Sequence, residues 1–134
     1  MLRVSFERKF RVLLASFTGT FAPADIALLG ATVTDFKKSQ GLVRGIVDFT
    51  GVDVIDVTVE DMTRAARGQP QIMTGQDRVY VIPQSLLFGL GRLFGTYQGL
   101  AGYAEPHVVR TMPEACEILG LVDPDFQPLE HTGS

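Results

Sequence analysis

Three aspartates around a short apolar run are the side chains with the clearest chemical potential in this chain. Asp48 lies inside the run of residues 46–49, and Asp53 and Asp56 follow it. Carboxylates grouped at the end of a buried strand suit Mg²⁺, which favours oxygen ligands. The alternative role is structural, with Asp53 in a turn and Asp56 at the start of a helix. We favour the structural role, because no phosphate-binding glycine loop accompanies the acids.

The other reactive side chains are isolated from one another in the sequence. His107 and His131 have no second histidine or cysteine at metal-ligand spacing. Cys116 has no histidine at helical spacing that would activate it, and no GxSxG nucleophile motif is present. The sequence therefore predicts a protein without catalytic residues, metal or cofactor, and not an enzyme.

A four-residue spacing relates three glycines in the segment Leu86–Tyr103. Gly91, Gly95 and Gly99 would form a smooth stripe on a helix, where another backbone can approach closely. That backbone belongs either to the sheet of the same chain or to a second subunit. The glycines fit a nucleotide-binding motif poorly, since the spacing is one residue too long for GxGxxG and the first glycine falls inside the helix. The candidate residues for self-association or for covering a ligand are Phe88, Gly91, Arg92, Gly95, Tyr97 and Gly99.

The composition indicates one globular domain. The chain has 134 residues, of which 46% are hydrophobic and 20% are charged. Its net charge of −3 argues against a nucleic-acid-binding protein, which would normally be basic. A single cysteine and the lack of an apolar N-terminal run favour a cytoplasmic protein. The apolar segment Val79–Ala104 is interrupted by Pro83 and carries Arg92, so we expect no membrane insertion.

Hydrophobic periodicity predicts how the secondary-structure elements follow one another. Alternation with period two in residues 2–7 and 10–14 indicates a hairpin, and residues 17–23 are expected to form a turn-rich link. Helices and further strands then alternate, which implies a mostly parallel sheet. The prediction is an α/β fold of order β-β-α-β-α-β-α-β-α, with a mixed five-stranded sheet, an N-terminal antiparallel hairpin strand and about four helices. Residues 1–121 form the domain, and residues 122–134 are expected to be a loosely ordered tail.

Two of the predicted helices show an apolar face at three- and four-residue spacing. The first face consists of Ile26, Leu29, Val33 and Phe36. The second face consists of Leu86, Leu90, Leu93, Phe94 and Tyr97. Between them, Thr58 and Asp61 have the spacing of a capping box, which would start a further helix.

Four short motifs resemble one protein family. Residues 47–58, VDFTGVDVIDVT, resemble the strand that leads into a helix in the STAS superfamily. Residues 78–83 (RVYVIP), 88–94 (FGLGRLF) and 112–115 (MPEA) resemble its SpoIIAA-like branch, also called STAS/SEC14-like. The resemblance spans roughly residues 2–121 and implies a SpoIIAA/STAS-like fold in a non-enzymatic regulatory domain that docks on partner proteins.

The resemblance also implies where a partner docks and how docking is switched. In the anti-sigma-factor antagonists of the family, a kinase phosphorylates the first serine after the loop aspartate, and this position is Val57 here. Val57 has no hydroxyl, which leaves the switch in doubt. Thr58 aligns with the second serine, and it is either a phosphorylation site or simply an N-cap. The implied docking site is the Asp53–Thr58 loop with the following helix, and its candidate residues are Asp53, Asp56, Val57, Thr58, Asp61 and Met62.

Two classes of function remain open from the sequence. The first is docking to an unknown protein partner, with a homodimer as one option. The alternative is a carrier or sensor of a small apolar, lipid-like ligand beneath the glycine-broken segment Leu86–Tyr103. A third idea, nucleotide binding through Asp48, Asp53 and residues 89–95, lacks the motif that it needs.

Overall fold

The chain folds into one mixed sheet with helices on both faces. The computed structural model describes residues 1–41, 43–67 and 77–129. Within them the elements are β1 (Leu2–Glu7), β2 (Val12–Phe21), α1 (Pro23–Gln40), β3 (Arg44–Ile55), α2 (Val59–Arg67), β4 (Arg78–Val81), α3 (Ser85–Leu100), β5 (His107–Val109), α4 (Met112–Leu119) and β6 (Gln127–Pro128). The strand order is β5-β4-β3-β2-β1-β6. Strands β2 to β5 are parallel, and β1 is antiparallel to both of its neighbours. The general prediction of an α/β protein with a mixed sheet is confirmed.

The sheet separates two apolar cores of different size. The larger core lies beneath α1, α2 and α3, which contribute Val33, Met62 and Leu87 to it. The smaller core lies beneath α4, which contributes Ala115 and Leu119. The predicted stripe of α1 faces the larger core along its whole length, with Ile26, Leu29, Val33 and Phe36 all packed there. In the described part of the chain, no helix combines the length and the apolar character needed to cross a bilayer.

Strand β2 is longer than the sequence predicts. The expected turn-rich link at residues 17–23 is wrong, because β2 continues to Phe21. Phe17 and Phe21 are buried in the larger core, which holds this stretch against the sheet. Gly19 has a φ of 77°, and the register with β3 shifts between Gly19 and Thr20. The glycine therefore marks a bulge within a strand and not a turn between elements.

The acidic stretch is largely strand, where the sequence predicts a loop. Strand β3 reaches Ile55 because β2 runs beside it to Phe21. Strand β4 pairs with β3 only up to Asp48, which lies opposite Val81. The second half of β3 is thus a two-stranded ribbon with β2 that extends past β4, and Asp53 belongs to this ribbon. The connection to α2 is only residues 56–58.

A sixth strand follows α4, beyond the five that the sequence predicts. Residues Gln127–Pro128 pair with Phe6 and Ser5 of β1, and the Leu129 N–H donates to the Val4 carbonyl at 3.0 Å. The strand is only two residues long and one of them is proline, so it shows no periodic pattern that the sequence could reveal. It lies at the edge of the sheet, the position where proline is tolerated in a strand.

A buried carboxylate, Glu7, ties the first hairpin to the segment after α4. Its Oε1 accepts hydrogen bonds from the backbone N–H groups of Lys9 at 2.7 Å and Phe10 at 3.4 Å. Its Oε2 accepts one from the backbone N–H of Asp125. The Asp125 N–H is the largest cause that holds the pKa of Glu7 below its ordinary value, and the Lys9 and Phe10 N–H groups add to it against the effect of desolvation.

We expect Glu7→Gln to lower the melting temperature at neutral pH and to lose this effect in acid. A carboxyl group with a depressed pKa in the folded state contributes stability that is complete above its unfolded pKa. That contribution disappears as the pH falls from the ordinary value of 4.5 through the folded pKa. Thermal unfolding of both proteins between pH 7 and pH 2.5 measures the difference. A gap in melting temperature that stays constant below pH 4.5 would contradict the assignment.

Candidate functional site

The carboxyl ends of the parallel strands form the edge of the sheet from which the helices start. Helix α1 follows β2, α2 follows β3, and α3 follows β4 at this same edge. Ligands of open α/β sheets bind beyond this edge. Asp53 and Asp56 are exposed here. The sequence-predicted site therefore lies at this edge of the sheet.

Thr58 and Asp61 form the predicted capping box at the start of α2. The Asp61 N–H donates to the Thr58 Oγ1 at 3.1 Å, and the Thr58 N–H donates to the Asp61 Oδ2 at 2.9 Å. The Thr58 N–H is the main reason that the pKa of Asp61 lies below its ordinary value; the Thr58 hydroxyl and Arg64 lower it further, against desolvation. The prediction of a capping box is confirmed, with aspartate in the place where glutamate is more usual.

We expect Thr58→Ala to lower the free energy of unfolding by about 1 kcal/mol, because the Asp61 N–H at the start of α2 loses its acceptor. Thr58→Ser keeps the hydroxyl and should change the free energy of unfolding by only a few tenths of a kcal/mol, which makes it the matched control. Urea unfolding measures both, and the m-value should stay unchanged. Equal stabilities of the alanine and serine variants would show that the cap contributes nothing.

The structure divides the predicted docking residues into exposed and buried ones. Asp53, Asp56 and Thr58 are exposed, and Asp61 is partly buried in the cap. Val57 and Met62 are buried, with 8% and 6% of their surface exposed, so their side chains belong to the core beneath the site.

Sequence reasoning missed three exposed residues at the same place. Val54 and Val59 are apolar but 52% and 54% exposed, and Glu60 is exposed beside them. Val52, two positions before Val54 on the strand, is only 4% exposed, so alternation with period two does not separate the two valines. The surface thus combines carboxylates with exposed apolar groups.

The three aspartates that opened the sequence argument do not converge. Asp48 accepts hydrogen bonds from the N–H of Thr50 at 2.9 Å and from its hydroxyl at 2.5 Å. Asp53 lies five positions after Asp48 on the strand, which corresponds to roughly 16 Å at about 3.3 Å per residue. One cation cannot bridge that distance. Among the described residues, no group of three or more His, Cys, Asp or Glu side chains is placed to hold a metal ion.

An apolar groove runs over the larger core, between α1 on one side and α2 with α3 on the other. Helices α2 and α3 pack closely on each other, whereas α1 packs less closely on its neighbours. The groove encloses a cavity of about 70 Å³ and is lined by Phe21, Ile26, Leu29, Phe49, Met62, Ala65, Tyr80, Ile82, Leu87, Gly91 and Phe94. Burial raises the pKa of the Tyr80 hydroxyl above its ordinary value, although the nearby Arg78 opposes the shift. The groove is therefore an apolar environment without an ionised group of its own.

The predicted inner face of α3 is rotated in the structure. Leu86 is 65% exposed and Leu87 is 1% exposed, so the expectation that Leu86 is buried is wrong. The inner face of α3 instead contains Leu87, Leu90, Gly91, Gly95 and Gln98. A helix with leucines at consecutive positions, such as Leu86-Leu87, allows two faces, and the packing against β4 and β5 selects one.

The glycine stripe of α3 contacts the same chain. A Cβ atom at Gly91 would lie 2.6 Å from the Ile82 Cδ1, and one at Gly95 would lie 3.6 Å from the Pro106 Cδ. A Cβ atom at Gly99 would overlap the Glu105 carboxylate. At Gly91 and Gly99 an added Cβ atom would thus crowd side chains of the same chain, whereas at Gly95 it would make an ordinary van der Waals contact.

The remaining candidates on α3 differ in their surroundings. The Arg110 guanidinium lies 4.1 Å from the centre of the Phe88 ring and also donates to the Pro83 carbonyl at 3.2 Å. Arg92 is exposed, and Tyr97 is partly buried. Phe88 thus has an intramolecular cation–π partner.

The chain matches no model of a known protein family and no curated protein sequence. The resemblance to the STAS superfamily therefore rests on the short motifs at residues 47–58, 78–83, 88–94 and 112–115.

Proposed function

We propose that this protein is a non-enzymatic, SpoIIAA/STAS-like interaction domain that docks a protein partner through the Asp53–Thr58 segment and the start of α2. The observation that carries this proposal is the exposed surface formed by Asp53, Val54, Asp56, Thr58, Val59 and Glu60, called the docking surface below. It contains three exposed residues that the family resemblance implies, together with Val54, Val59 and Glu60.

The chemistry of the docking surface indicates what the partner presents. Charged groups at the rim of an interface steer encounter and select the partner, while desolvated apolar groups supply much of the affinity. Asp53, Asp56 and Glu60 make this surface acidic, and Val54 and Val59 give it an apolar part. A complementary partner has basic residues around an apolar contact.

The cap geometry favours docking without a phosphorylation switch. Val57 is buried and has no hydroxyl. A phosphate on Thr58 would benefit from the start of α2, but it would lie beside the carboxylates of Asp61 and Glu60. The hydroxyl of Thr58 also already serves the helix as its cap. Constitutive docking is the form that these contacts support best.

Affinity capture with paired variants tests the proposal. The variant Asp53→Lys/Asp56→Lys/Glu60→Lys reverses the charge of the docking surface. The control Asp35→Lys/Glu105→Lys/Glu117→Lys makes the same charge change at exposed positions elsewhere. A partner recovered from lysate of the source cells by the natural protein and the control, but lost with the docking-surface variant, would support the proposal.

Two outcomes would overturn it. Recovery of the same partners by all three proteins would place docking elsewhere. An intact-mass shift of one phosphate on Thr58 after incubation with the lysate and ATP would replace constitutive docking with a switch. Circular dichroism of each variant confirms that the fold is retained before the comparison is made.

The apolar groove favours a second candidate function, a carrier or sensor of a small apolar ligand. Its cavity of about 70 Å³ is smaller than the ~150 Å³ that holds a benzene molecule in an engineered protein. An acyl chain therefore fits only if α1 moves away from α2 and α3. Native mass spectrometry of freshly purified protein should then show a bound acyl species that Ala65→Phe, a groove-filling variant, loses. A clean apo mass for the natural protein would exclude this function.

A further inference from the structure

A second, basic cavity lies at the opposite edge of the sheet, away from the docking surface. Its volume is about 270 Å³, and its lining residues are Phe6, Arg8, Arg11, Phe36, Gln40 and Leu129. They come from the β1–β2 hairpin, the end of α1 and the residue after β6. The cavity thus depends on three parts of the chain that meet only in the fold.

Arg11 is fixed at the rim of this cavity by an unusual backbone conformation and by two contacts. Its φ is 55°, in the left-handed region that a long side chain rarely adopts. Its Nη2 donates to the Gln40 carbonyl at 2.7 Å, and its guanidinium lies 5.8 Å from the centre of the Phe6 ring. A guanidinium has five N–H donors in a planar fork, so most of them remain for a ligand.

The surroundings of the cavity are positively charged, although the whole chain carries −3. Arg8 is exposed and forms no ion pair with any residue that the structure describes. Lys37 and Lys38 lie in the last turn of α1, next to Gln40, and the Lys38 Nζ lies 3.9 Å from the Asp35 Oδ1. Glu7, the adjacent acid, accepts hydrogen bonds from three backbone N–H groups, and among the described residues it forms no ion pair with Arg8. Arg8 and the remaining N–H groups of Arg11 are therefore available to an anion.

The inner wall of the cavity is apolar. The Phe6 and Phe36 rings have centres 5.0 Å apart, and Leu129 adds an aliphatic group beside them. A volume of about 270 Å³ exceeds the ~150 Å³ that holds benzene and lies just below the ~300 Å³ at which pockets for drug-sized ligands begin. This size fits a ligand with one ring and one anionic group.

We propose that this cavity binds a small aromatic or compact aliphatic acid, with a carboxylate or phosphate on Arg8 and Arg11 and an apolar body against Phe6, Phe36 and Leu129. Arginine suits this role because its fork donates two parallel hydrogen bonds to either anion. The site is separate from the docking surface and does not depend on the proposed docking function.

Titration with phenyl phosphate, followed by amide NMR shifts, tests the proposal. The expected result is saturable binding with shifts at Phe6, Arg11, Gln40 and Leu129. Inorganic phosphate should bind at least tenfold more weakly because it lacks the apolar body, and phenol should give no saturable shift because it lacks the anion. Benzoate tests whether a carboxylate can replace the phosphate group. Saturable binding of either phenyl phosphate or benzoate supports the site. Phosphate binding as tightly as phenyl phosphate would reduce the site to nonspecific electrostatics and overturn the proposal.

Two variants locate the binding on the arginines. Arg8→Gln removes one guanidinium at an exposed position, and Arg11→Gly removes the other while suiting a φ of 55°. Each should weaken phenyl phosphate at least tenfold with the melting temperature retained. Lys37→Gln/Lys38→Gln removes two charges outside the cavity and should change the affinity less than twofold. An equal loss with the lysine control would show only general charge attraction and overturn the site.

Discussion

Replacing Arg78 with methionine is expected to lower the free energy of unfolding by about 3 kcal/mol, because the buried Gln98 Oε1 and the partly buried Ala104 carbonyl lose a charged donor. Arg78 is only 5% exposed, and its Nη1 donates to the Gln98 Oε1 at 3.2 Å. Its Nη2 donates to the carbonyl of Ala104, and the Gln98 Nε2 donates in turn to the Ala66 carbonyl at 2.6 Å. The guanidinium thus connects β4 to α3, to the end of α2 and to the segment before β5.

Two further variants distinguish the loss of this hydrogen-bond network from the loss of any arginine side chain. Arg64→Met removes an arginine whose side chain is 72% exposed, and it should change the stability by less than about 0.5 kcal/mol. In the pair Arg78→Met/Gln98→Leu the two losses should not add, because each single replacement already breaks the hydrogen bond that the two side chains share. Urea unfolding of the four proteins completes the double-mutant cycle. Strict additivity would show that Arg78 and Gln98 are energetically independent.

Local periodicity was sufficient to predict the elements that bury a regular face. The stripe Ile26, Leu29, Val33 and Phe36 packs on the larger core as its spacing requires. The capping box of Thr58 and Asp61 also depends on residues three positions apart, and it is observed. Such features depend only on residues that are close together in the sequence of one helix, so the sequence alone is enough to predict them.

The lengths of β2 and β3 depend on each other and not on local sequence. Residues 17–23 contain Gly19 and Pro23, which locally favour a turn. Phe17 and Phe21 instead pack with Phe49 of β3, and this contact extends both strands. The same tertiary effect places Asp53 in a strand. No single-sequence pattern reports a pairing between segments that are so far apart.

The candidate sites show the same limit. The sequence proposed the Asp53–Thr58 segment with the following helix as a docking site, but two of its candidate residues, Val57 and Met62, are buried. Whether a side chain beside a loop faces a partner or the core is decided by the elements that cover it. The sequence did not predict the basic cavity. Arg11 and Phe36 are far apart in the sequence, and they line the same cavity only because the hairpin lies next to the end of α1 in the fold.

The aromatic cluster between β2 and β3 is the other place where one substitution should have a large effect. We expect Phe17→Ala to lower the free energy of unfolding by about 4 kcal/mol, through lost burial, a residual cavity and lost ring contacts. Phe17 is 1% exposed, and its ring centre lies 5.1 Å from that of Phe21 and 5.5 Å from that of Phe49. A domain of this size has roughly 5–15 kcal/mol of stability in total, so the variant would be close to unfolding at 37 °C.

Two control variants, Phe17→Leu and Val54→Ala, test whether the loss of stability comes from the buried ring of Phe17. Leucine retains most of the buried volume at position 17 and should cost roughly half as much as alanine. Val54 lies on the same ribbon but is 52% exposed, so its replacement by alanine should cost less than about 0.5 kcal/mol. Denaturant unfolding of all three variants shows the order of their losses in free energy of unfolding. A loss below about 2 kcal/mol for Phe17→Ala would mean that the ribbon collapses into the space left by the ring. In that case the ribbon that carries Asp53 would be adaptable, and the docking surface would not be held rigid by the core beneath it.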